Sequence, residues 1–535
     1  MPTNKQIAEI FAKTADLLEI KGENPFKVRA YRNAARLIEN SSKDFNKLVK
    51  ENFDLTKLPG IGKDLSEYIK EIVTTGKFHK LQELQKEIPS GLSDLLSIEG
   101  LGPKRVKLLY ETYGIKNMQD LKKLAQNGGL LKLPGFGPKL VEKILRGFRQ
   151  LKKAGIRFLW ADVEDVAYEL KNYLQNFEGV EVVEIAGSFR RKKESVGDLD
   201  ILVIAENYPK VSEYFVKFDK VAEIYSKGLT RSTVFLNNGL QVDLRAVAKE
   251  NYAAALHYFT GSKSHNIEIR KLAMEKGLKI NEYGVYKKDK KLPILTEADI
   301  YESVGLVYIE PELRENRGEI EAARENKLPK LITPDDIKGD MISVDSFEEL
   351  ERNIKIAIEQ KYSHLIVVSN NSKIISYSKN FDSIRIITAE PAYILKNGDI
   401  DYNKNSEADF YVGMLTNEKL SSEKQTLRYI KALKQGIIKI MLRPSLREIF
   451  KYQIEAQWDE IFKVASKSDV IFEINANPLY ADLNDLLIKE AKKYGVKFYI
   501  NSDLKFMKYG INQARRGWCE KNDIVNSYER IEYFS

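Results

Sequence analysis

The stretch that decides the fold runs from Ile185 to Ala205, "IAGSFRRKKESVGDLDILVIA". It ends in an apolar run broken by two aspartates one residue apart, Asp198 and Asp200. Carboxylates set beside a buried strand cost free energy unless something positive holds them. Side chains alternate along a strand, so both project from one face, close enough to share a cation. Upstream, "VEVVEIAGSFRR" reads as an apolar strand that ends at Gly187-Ser188 and runs into Arg190 and Arg191. Such a strand-to-helix turn offers N–H groups, a hydroxyl and guanidinium charge to a polyphosphate.

A third carboxylate comes from "STVFLNNGLQVDLRAVA", Ser232 to Ala248. Asn237-Asn238-Gly239 is a hairpin signal between two apolar strands, and the second strand carries Asp243. Three carboxylates on neighbouring strands are suited to two magnesium ions, which activate an attacking hydroxyl and neutralise a leaving pyrophosphate. Taken alone, D-x-D also fits edge-strand aspartates that face water.

The rest of the chain limits what this site belongs to. Its 535 residues exceed a single core and point to three or four domains. No run of about 18 apolar residues occurs, and "MPTNKQIAEIFAKTADLLEIKG" has an amphipathic helix pattern with none of the features of a signal peptide. A cytoplasmic protein with no membrane attachment is expected. The single cysteine, Cys519, excludes an internal disulfide and a cysteine-based zinc site. Of four histidines, His79, His257, His265 and His364, only the last lies in the C-terminal half, so no multi-histidine metal centre exists there.

Charge is localised. Residues 1–150 hold 27 Lys plus Arg against 18 Asp plus Glu, a surplus equal to the net charge of +9 of the whole chain. Within that basic third, "LPGIGKDLSEYI" from Leu58, "IEGLGPKRVKLL" from Ile98 and "LPGFGPKLVEKI" from Leu133 repeat one pattern. Each has two glycines, then a helix whose apolar face recurs at helical spacing, as in Val106, Leu109, Tyr110 and Tyr113, or Val141, Ile144, Leu145 and Phe148. The glycine pair permits a tight turn with N–H groups exposed at a helix start, which grips a phosphate without reading a base. The three segments resemble helix-hairpin-helix motifs, with Gly60, Gly62, Lys63, Gly100, Gly102, Lys104, Gly135, Gly137 and Lys139 as candidate DNA contacts.

The G-S-x-R-R, G-D-x-D and V-D-L-R elements, followed by "YFTGSKSHNIEIR" from Tyr258 to Arg270, resemble the family X DNA polymerases, and specifically the prokaryotic form with a C-terminal PHP domain. The resemblance implies a multidomain α+β fold: helical helix-hairpin-helix domains, a nucleotidyltransferase palm and an α/β PHP-like barrel. The implied boundaries are a lyase-like helical domain at 1–85, fingers at 86–150, palm at 151–248, a nucleotide-binding subdomain at 249–320, a linker at 321–335 and the PHP-like domain at 336–535. It implies template-directed, Mg²⁺-dependent filling of short gaps from dNTPs during DNA repair, with Mn²⁺ as an alternative ion. Gapped or nicked DNA is the implied partner of a monomeric enzyme, alongside other repair proteins. By the same resemblance, Asp198 and Asp200 bind both metals, and Asp243 binds the catalytic one and assists deprotonation of the primer 3′-hydroxyl. Gly187, Ser188, Arg191 and Gly197 contact the triphosphate. Tyr258, Phe259, Gly261 and Ser262 surround the incoming sugar, while Asn266 and Arg270 contact the nascent base pair and template. Lys27, Tyr31 and Lys80 match positions around a downstream 5′-phosphate. Without the family, "YFTGS" reads only as an apolar strand end and turn, and Asn266 to Arg270 as one helical turn.

Two departures stand out. The lyase lysine of the family aligns with Tyr68, which cannot form an imine, and Lys70 falls on another face of the helix. The PHP metal motif G-D-x-H-x-H reads "GDMISV", with Ile342 and Val344 in place of both histidines. Val368-Ser369-Asn370, Leu442-Arg443-Pro444 and Asp503-Leu504-Lys505 replace the later ligand elements, leaving Asp340, Glu390 and Asp503. Scattered carboxylates replace a histidine-rich trinuclear site poorly, so a folded barrel without 3′ to 5′ exonuclease activity is expected. Two alternatives are a repair scaffold that holds gapped DNA without chemistry and a template-independent nucleotidyltransferase.

Overall fold

The computed structural model describes the chain apart from residues 1, 3, 40, 42, 90, 97, 99, 139, 142–143, 145–155, 289 and 530–535. It divides into two compact units, Met1–Ile156 and Arg157–Ser535. Among the described residues no helix is long and apolar enough to cross a membrane.

The first unit packs helices around one apolar core. Its three glycine repeats fold alike. In each, an apolar residue between the glycines is buried: Ile61, Leu101 and Phe136. Each of these donates its backbone N–H to the residue three back, Leu58, Ile98 and Leu133, at 3.1, 2.9 and 3.1 Å. The first glycine of each pair has positive φ, +88°, +92° and +80° for Gly60, Gly100 and Gly135, a conformation that disfavours other residues. Gly62 and Gly102 are the N-caps of helices Lys63–Thr75 and Pro103–Tyr113. Gly137 starts the third helix in the same way, its carbonyl accepting from Leu140 and Val141. Lys139, Leu145 and Phe148 lie outside the described residues.

The second unit contains a five-stranded mixed sheet. Its spatial order is Val180–Ile185, Asp198–Ala205, Gln241–Ala246, Arg231–Leu236, Val221–Lys227. The Asp198 strand runs antiparallel to the first and parallel to the Gln241 strand. One of its faces, Leu199, Ile201 and Val203, packs with Val163, Ala167 and Leu170 of helix Trp160–Gln175. The other carries Asp198, Asp200 and then Leu202, which meets Ala255 and Leu256 of helix Tyr252–Thr260. A small antiparallel sheet, Leu278–Asn281, Gly284–Lys287 and Lys290–Lys291, follows.

Seven parallel strands between Gly339 and Asn501 then form a nearly closed barrel. The seam between its first and last strands is bridged by side chains. Asn526 donates to the carbonyls of Gly339 and Ile500 at 2.8 and 2.9 Å and accepts from Ile500 N–H at 3.1 Å. Tyr499 Oη donates to the Asp340 carbonyl at 2.8 Å. Within the stretch read as a linker, Ile332 is fully buried, and its N–H donates to the Cys519 carbonyl at 3.0 Å.

Ion pairs and hydrogen bonds join the barrel to the residues around the five-stranded sheet. Arg447 donates to Glu194 at 2.8 Å, and Tyr509 to Glu164 at 2.9 Å. Arg516, almost wholly buried, donates to the Arg191 carbonyl at 2.8 Å, to Glu315 at 3.1 Å and to Asp485 at 2.6 Å. Asp485 also accepts from Arg317 at 2.9 Å.

Candidate active site

Register assembles the site. The parallel pair places Asp200 directly opposite Asp243, with Asp198 two residues away opposite Gln241. On the other side, the antiparallel hairpin places Thr233 opposite Asp243 and Arg231 opposite Arg245. One face of three adjacent strands therefore carries Asp198 and Asp200, then Gln241, Asp243 and Arg245, then Arg231 and Thr233.

This acid-rich face is electrostatically strained. Burial, then the charges of Asp198 and Asp243, push the Asp200 carboxyl up to about 7, and Asp198 is raised by burial and Asp243. Like charges this close favour a cation between them. In this structure the Asp243 carboxylate is engaged elsewhere. Its Oδ1 accepts from Thr233 Oγ1 at 2.5 Å and its Oδ2 from Arg231 Nη2 at 2.9 Å. Arg245 lies between the two strands, 3.9 Å from Asp200 Oδ1 and 3.7 Å from Asp243 Oδ2, with its guanidinium 4.4 Å over the Phe259 ring. Among the described residues no group of three or more His, Cys, Asp or Glu is drawn together around one point. The donor set nevertheless suits hard divalent cations: three carboxylates on one face, one lifted to about 7 by burial and then by its neighbours.

Gly187 closes the opposite edge. Its φ is +62°, and a Cβ there would meet Asp200 Oδ2 at 2.8 Å, so only glycine lets the turn approach the acid. Ser188 follows in the short helix Gly187–Arg190, and Gly197 links two strand segments immediately before Asp198.

The two arginines differ from the sequence-based reading, in which both face a polyphosphate. Arg190 is paired with Glu297 at 2.6 Å and donates to Thr260 Oγ1 at 2.7 Å. Arg191 is buried and donates to Glu315 at 3.0 Å and to the Thr260 carbonyl at 2.5 Å. Carboxylates more than a hundred residues downstream take up both guanidiniums, which the local motif does not reveal.

The reading of "YFTGS" as a strand end is corrected. Tyr258, Phe259 and Thr260 form the last turn of helix Tyr252–Thr260, and Gly261 is its C-cap. The run Ala253-Ala254-Ala255-Leu256 carries the helix propensity that decides this. Ser262 caps the next helix, Lys263–Glu275, which contains Asn266 and Arg270 one turn apart, as expected. Asn266 Nδ2 donates to the Tyr258 carbonyl at 2.8 Å, and Arg270 Nε to the Asn266 carbonyl at 3.2 Å.

In the first unit Lys63 and Lys104 are exposed at their helix starts. Lys27 and Lys80 pair with Glu23 and Glu83. Tyr31 belongs to the core, 3% exposed, with its ring 5.7 Å from Phe11 and 6.0 Å from Tyr68. Tyr68 sits in the same aromatic cluster, 5.1 Å from Phe78.

In the barrel, Asp340, Glu390 and Asp503 are not brought together. Asp340 is buried and structural: its carboxylate accepts from the N–H groups of Met341, Ser502 and Leu504 at 2.8 to 2.9 Å. Glu390 accepts from Asn403 at 3.2 Å. Asp503 is exposed beside Lys505. His364 is fully buried at the start of its strand.

Sequence reasoning missed the residues that surround the acids. Counting back from the Asn237-Asn238-Gly239 turn sets Thr233 opposite Asp243, but no local signal shows that Thr233 and Arg231 bind its carboxylate. No local signal marks Glu297, Glu315 or Arg516.

A mixed sheet with three acids on one face and a tight glycine turn against them defines a nucleotidyltransferase, here carried on a chain with a helix-hairpin-helix unit. Comparison with known proteins agrees region by region. The DNA polymerase beta palm model matches residues 160–272 and the DNA polymerase beta thumb model 255–315. A helix-hairpin-helix domain model matches 2–78 and a SAM-like helix-hairpin-helix tandem model 92–150. The chain is 30% identical over 572 residues to the DNA polymerase/3′-5′ exonuclease PolX of Bacillus subtilis (strain 168), covering 99% of each. DNA polymerase lambda of Arabidopsis thaliana is 26% identical over 346 residues, 58% of this chain and 62% of the relative. That of Rattus norvegicus is 25% identical over 342 residues, 58% and 56%. The chain belongs to the family X DNA polymerases, in their prokaryotic form. It is a DNA-directed DNA polymerase that binds DNA and nucleotide and depends on divalent metal.

Proposed function

We propose that this polymerase fills short gaps in DNA during repair, adding templated nucleotides to a primer 3′-hydroxyl with two Mg²⁺ ions. The observation that carries this reading is the Asp200–Asp243 register pair, with Asp198 on the same face. Asp198 and Asp200 would hold both ions and Asp243 the one at the primer terminus. Bound there, the ions supply a lowered pKa for the attacking hydroxyl and neutralise the leaving pyrophosphate. The chain's own part is to hold and orient. The Gly187-Ser188 turn and Gly197 line the approach to the acids, and the buried Arg191 fixes that turn against Thr260. Tyr258, Phe259, Gly261 and Ser262 form the corner beside the incoming sugar, while Asn266 and Arg270 face the nascent pair from one helix. The hairpin turns at Gly60 and Gly62, Gly100 and Gly102, and Gly135 and Gly137 hold DNA phosphates, with Lys63 and Lys104 beside two of them and Lys27 and Lys80 around a downstream 5′-phosphate.

The division into lyase-like, fingers, palm, nucleotide-binding and PHP-like regions belongs to the same proposal. The barrel lacks 3′ to 5′ exonuclease activity, since both histidines of its first motif are Ile342 and Val344 and its remaining acids are apart. Tyr68 in an aromatic cluster argues equally against a lyase lysine. A monomeric, cytoplasmic enzyme working beside other repair proteins completes the reading.

The test is extension of a labelled primer across a one-nucleotide gap bearing a 5′-phosphate, with each dNTP singly, with and without Mg²⁺, and a lane without dNTPs. The expected result is Mg²⁺-dependent addition of the templated nucleotide alone, with no trimming of the 3′ end. Tight gap binding without addition would favour a scaffold, and untemplated addition a terminal transferase.

A further inference from the structure

The hairpin that presents Asp243 also supplies a cation of its own. Position 241, two residues before Asp243 on the same face, is glutamine, whose amide is 3.5 Å from Asp243 Oδ2. A guanidinium reaches that oxygen from the neighbouring strand: Arg231 Nη2 lies 2.9 Å away, while Thr233, from the same strand and face, holds Oδ1. Both oxygens of the acid therefore have partners before any ion arrives. A hard cation takes its ligand through these same oxygens, and a guanidinium on Oδ2 opposes it by like charge and by occupying one of that oxygen's lone pairs.

We infer that Arg231 is a positioning residue that competes with the divalent cation for Asp243. In the metal-free enzyme it neutralises an acid that faces Asp200 across the strand pair, and it withdraws when the ion binds. The asymmetry of burial fits such an exchange. Asp243 is buried, with 5% of its side chain exposed, whereas the Arg231 side chain is 43% exposed and has solvent to move into. A guanidinium so exposed is held weakly and is displaced by a doubly charged ion. Arg245, only 23% exposed and stacked on Phe259, is the more firmly placed of the two.

The inference rests on the reading of Asp243 as a metal ligand, and the experiment separates the two. Binding of Mn²⁺ alone to the full chain, without DNA or nucleotide, is followed by the loss of the free-ion paramagnetic resonance signal. The proteins are wild type, Arg231→Ala, Asp243→Asn and the double variant. Competition of this strength predicts that Arg231→Ala binds Mn²⁺ about two- to fivefold more tightly, and that the gain vanishes in the double variant. The concentration of Mg²⁺ needed for half-maximal nucleotide addition falls with it. Arg231→Gln, which keeps the side-chain length without the charge, shows the same gain. Unchanged or weaker Mn²⁺ binding by both Arg231 variants, with Asp243→Asn weaker than wild type, overturns the inference and leaves the metal-ligand reading intact. Binding that ignores Asp243→Asn in both backgrounds overturns that reading as well.

Discussion

At the scale of single residues, the acids of the palm trade stability for function. Burial, and after it two neighbouring carboxylates, push the Asp200 carboxyl up to about 7 from its ordinary 3.8. A group raised in the folded state loses stability as pH climbs from its unfolded value through its folded one. The metal-free enzyme is therefore expected to weaken between about pH 4 and 7, by up to about 4 kcal/mol from this group. Asp200→Asn should flatten that slope and raise the melting temperature at pH 7.5 in chelator while abolishing nucleotide addition; thermal melts with and without Mg²⁺ check it. Asp243→Ala is expected to keep gapped-DNA binding at low salt, by filter binding, and to lose addition; retained addition would undo the assignment. Gly187→Ala meets both a φ of +62° and Asp200 Oδ2 at 2.8 Å. It should lose primer extension even where circular dichroism shows a folded chain.

At the scale of elements, the three glycine turns share one geometry, with Ile61, Leu101 and Phe136 buried at the equivalent position. Lys63 and Lys104 are exposed at two of them, and in the proposed reading they act on phosphate as charges. Lys63→Ala combined with Lys104→Ala is expected to weaken gapped and duplex DNA binding alike. The same pair should reduce the slope of log affinity against log salt by about 2, as a fluorescence-anisotropy titration at several salt concentrations would show. The corner at Tyr258–Ser262 is the element that local reading placed wrongly. Aromatic residues before a Gly-Ser pair look like a strand end, yet the preceding alanines and the packing of Ala255 and Leu256 on Leu202 carry the helix through to Thr260.

At the scale of the whole second unit, buried ion pairs bind the barrel to the catalytic half. Burial alone would raise Glu297 and Glu315, but Arg314 and Arg190 outweigh it for the first, and Arg516 and Arg191 for the second, holding both at about 2. Carboxyls depressed in this way contribute stability that is complete above about pH 4.5 and lost as pH falls toward 2. Acid denaturation should steepen in that window, and Glu297→Gln should remove part of the slope. Arg516→Ala leaves Asp485 and Glu315 short of a buried partner, a change that typically costs about 3 to 5 kcal/mol. Urea denaturation of the full chain should show that loss and should report the sheet and the barrel unfolding together.

The primary structure alone pointed to the class of chemistry and to its candidate carriers. Alternation sets Asp198 and Asp200 on one face, a turn signal places Asp243 on a strand nearby, three glycine repeats recur in the basic third, and histidines are missing where a PHP site needs them. These are short-range signals, because strand periodicity, turn conformation and helix starts are decided within a few residues. Only the tertiary structure decided what each acid faces: Asp200 against Asp243, Arg231 and Thr233 on Asp243, Glu297 and Glu315 on the two arginines, Arg516 at the junction with the barrel. Those partners lie from ten to more than three hundred residues apart in the chain. Register and packing bring them together, and no local pattern of charge encodes which carboxylate a given arginine will meet.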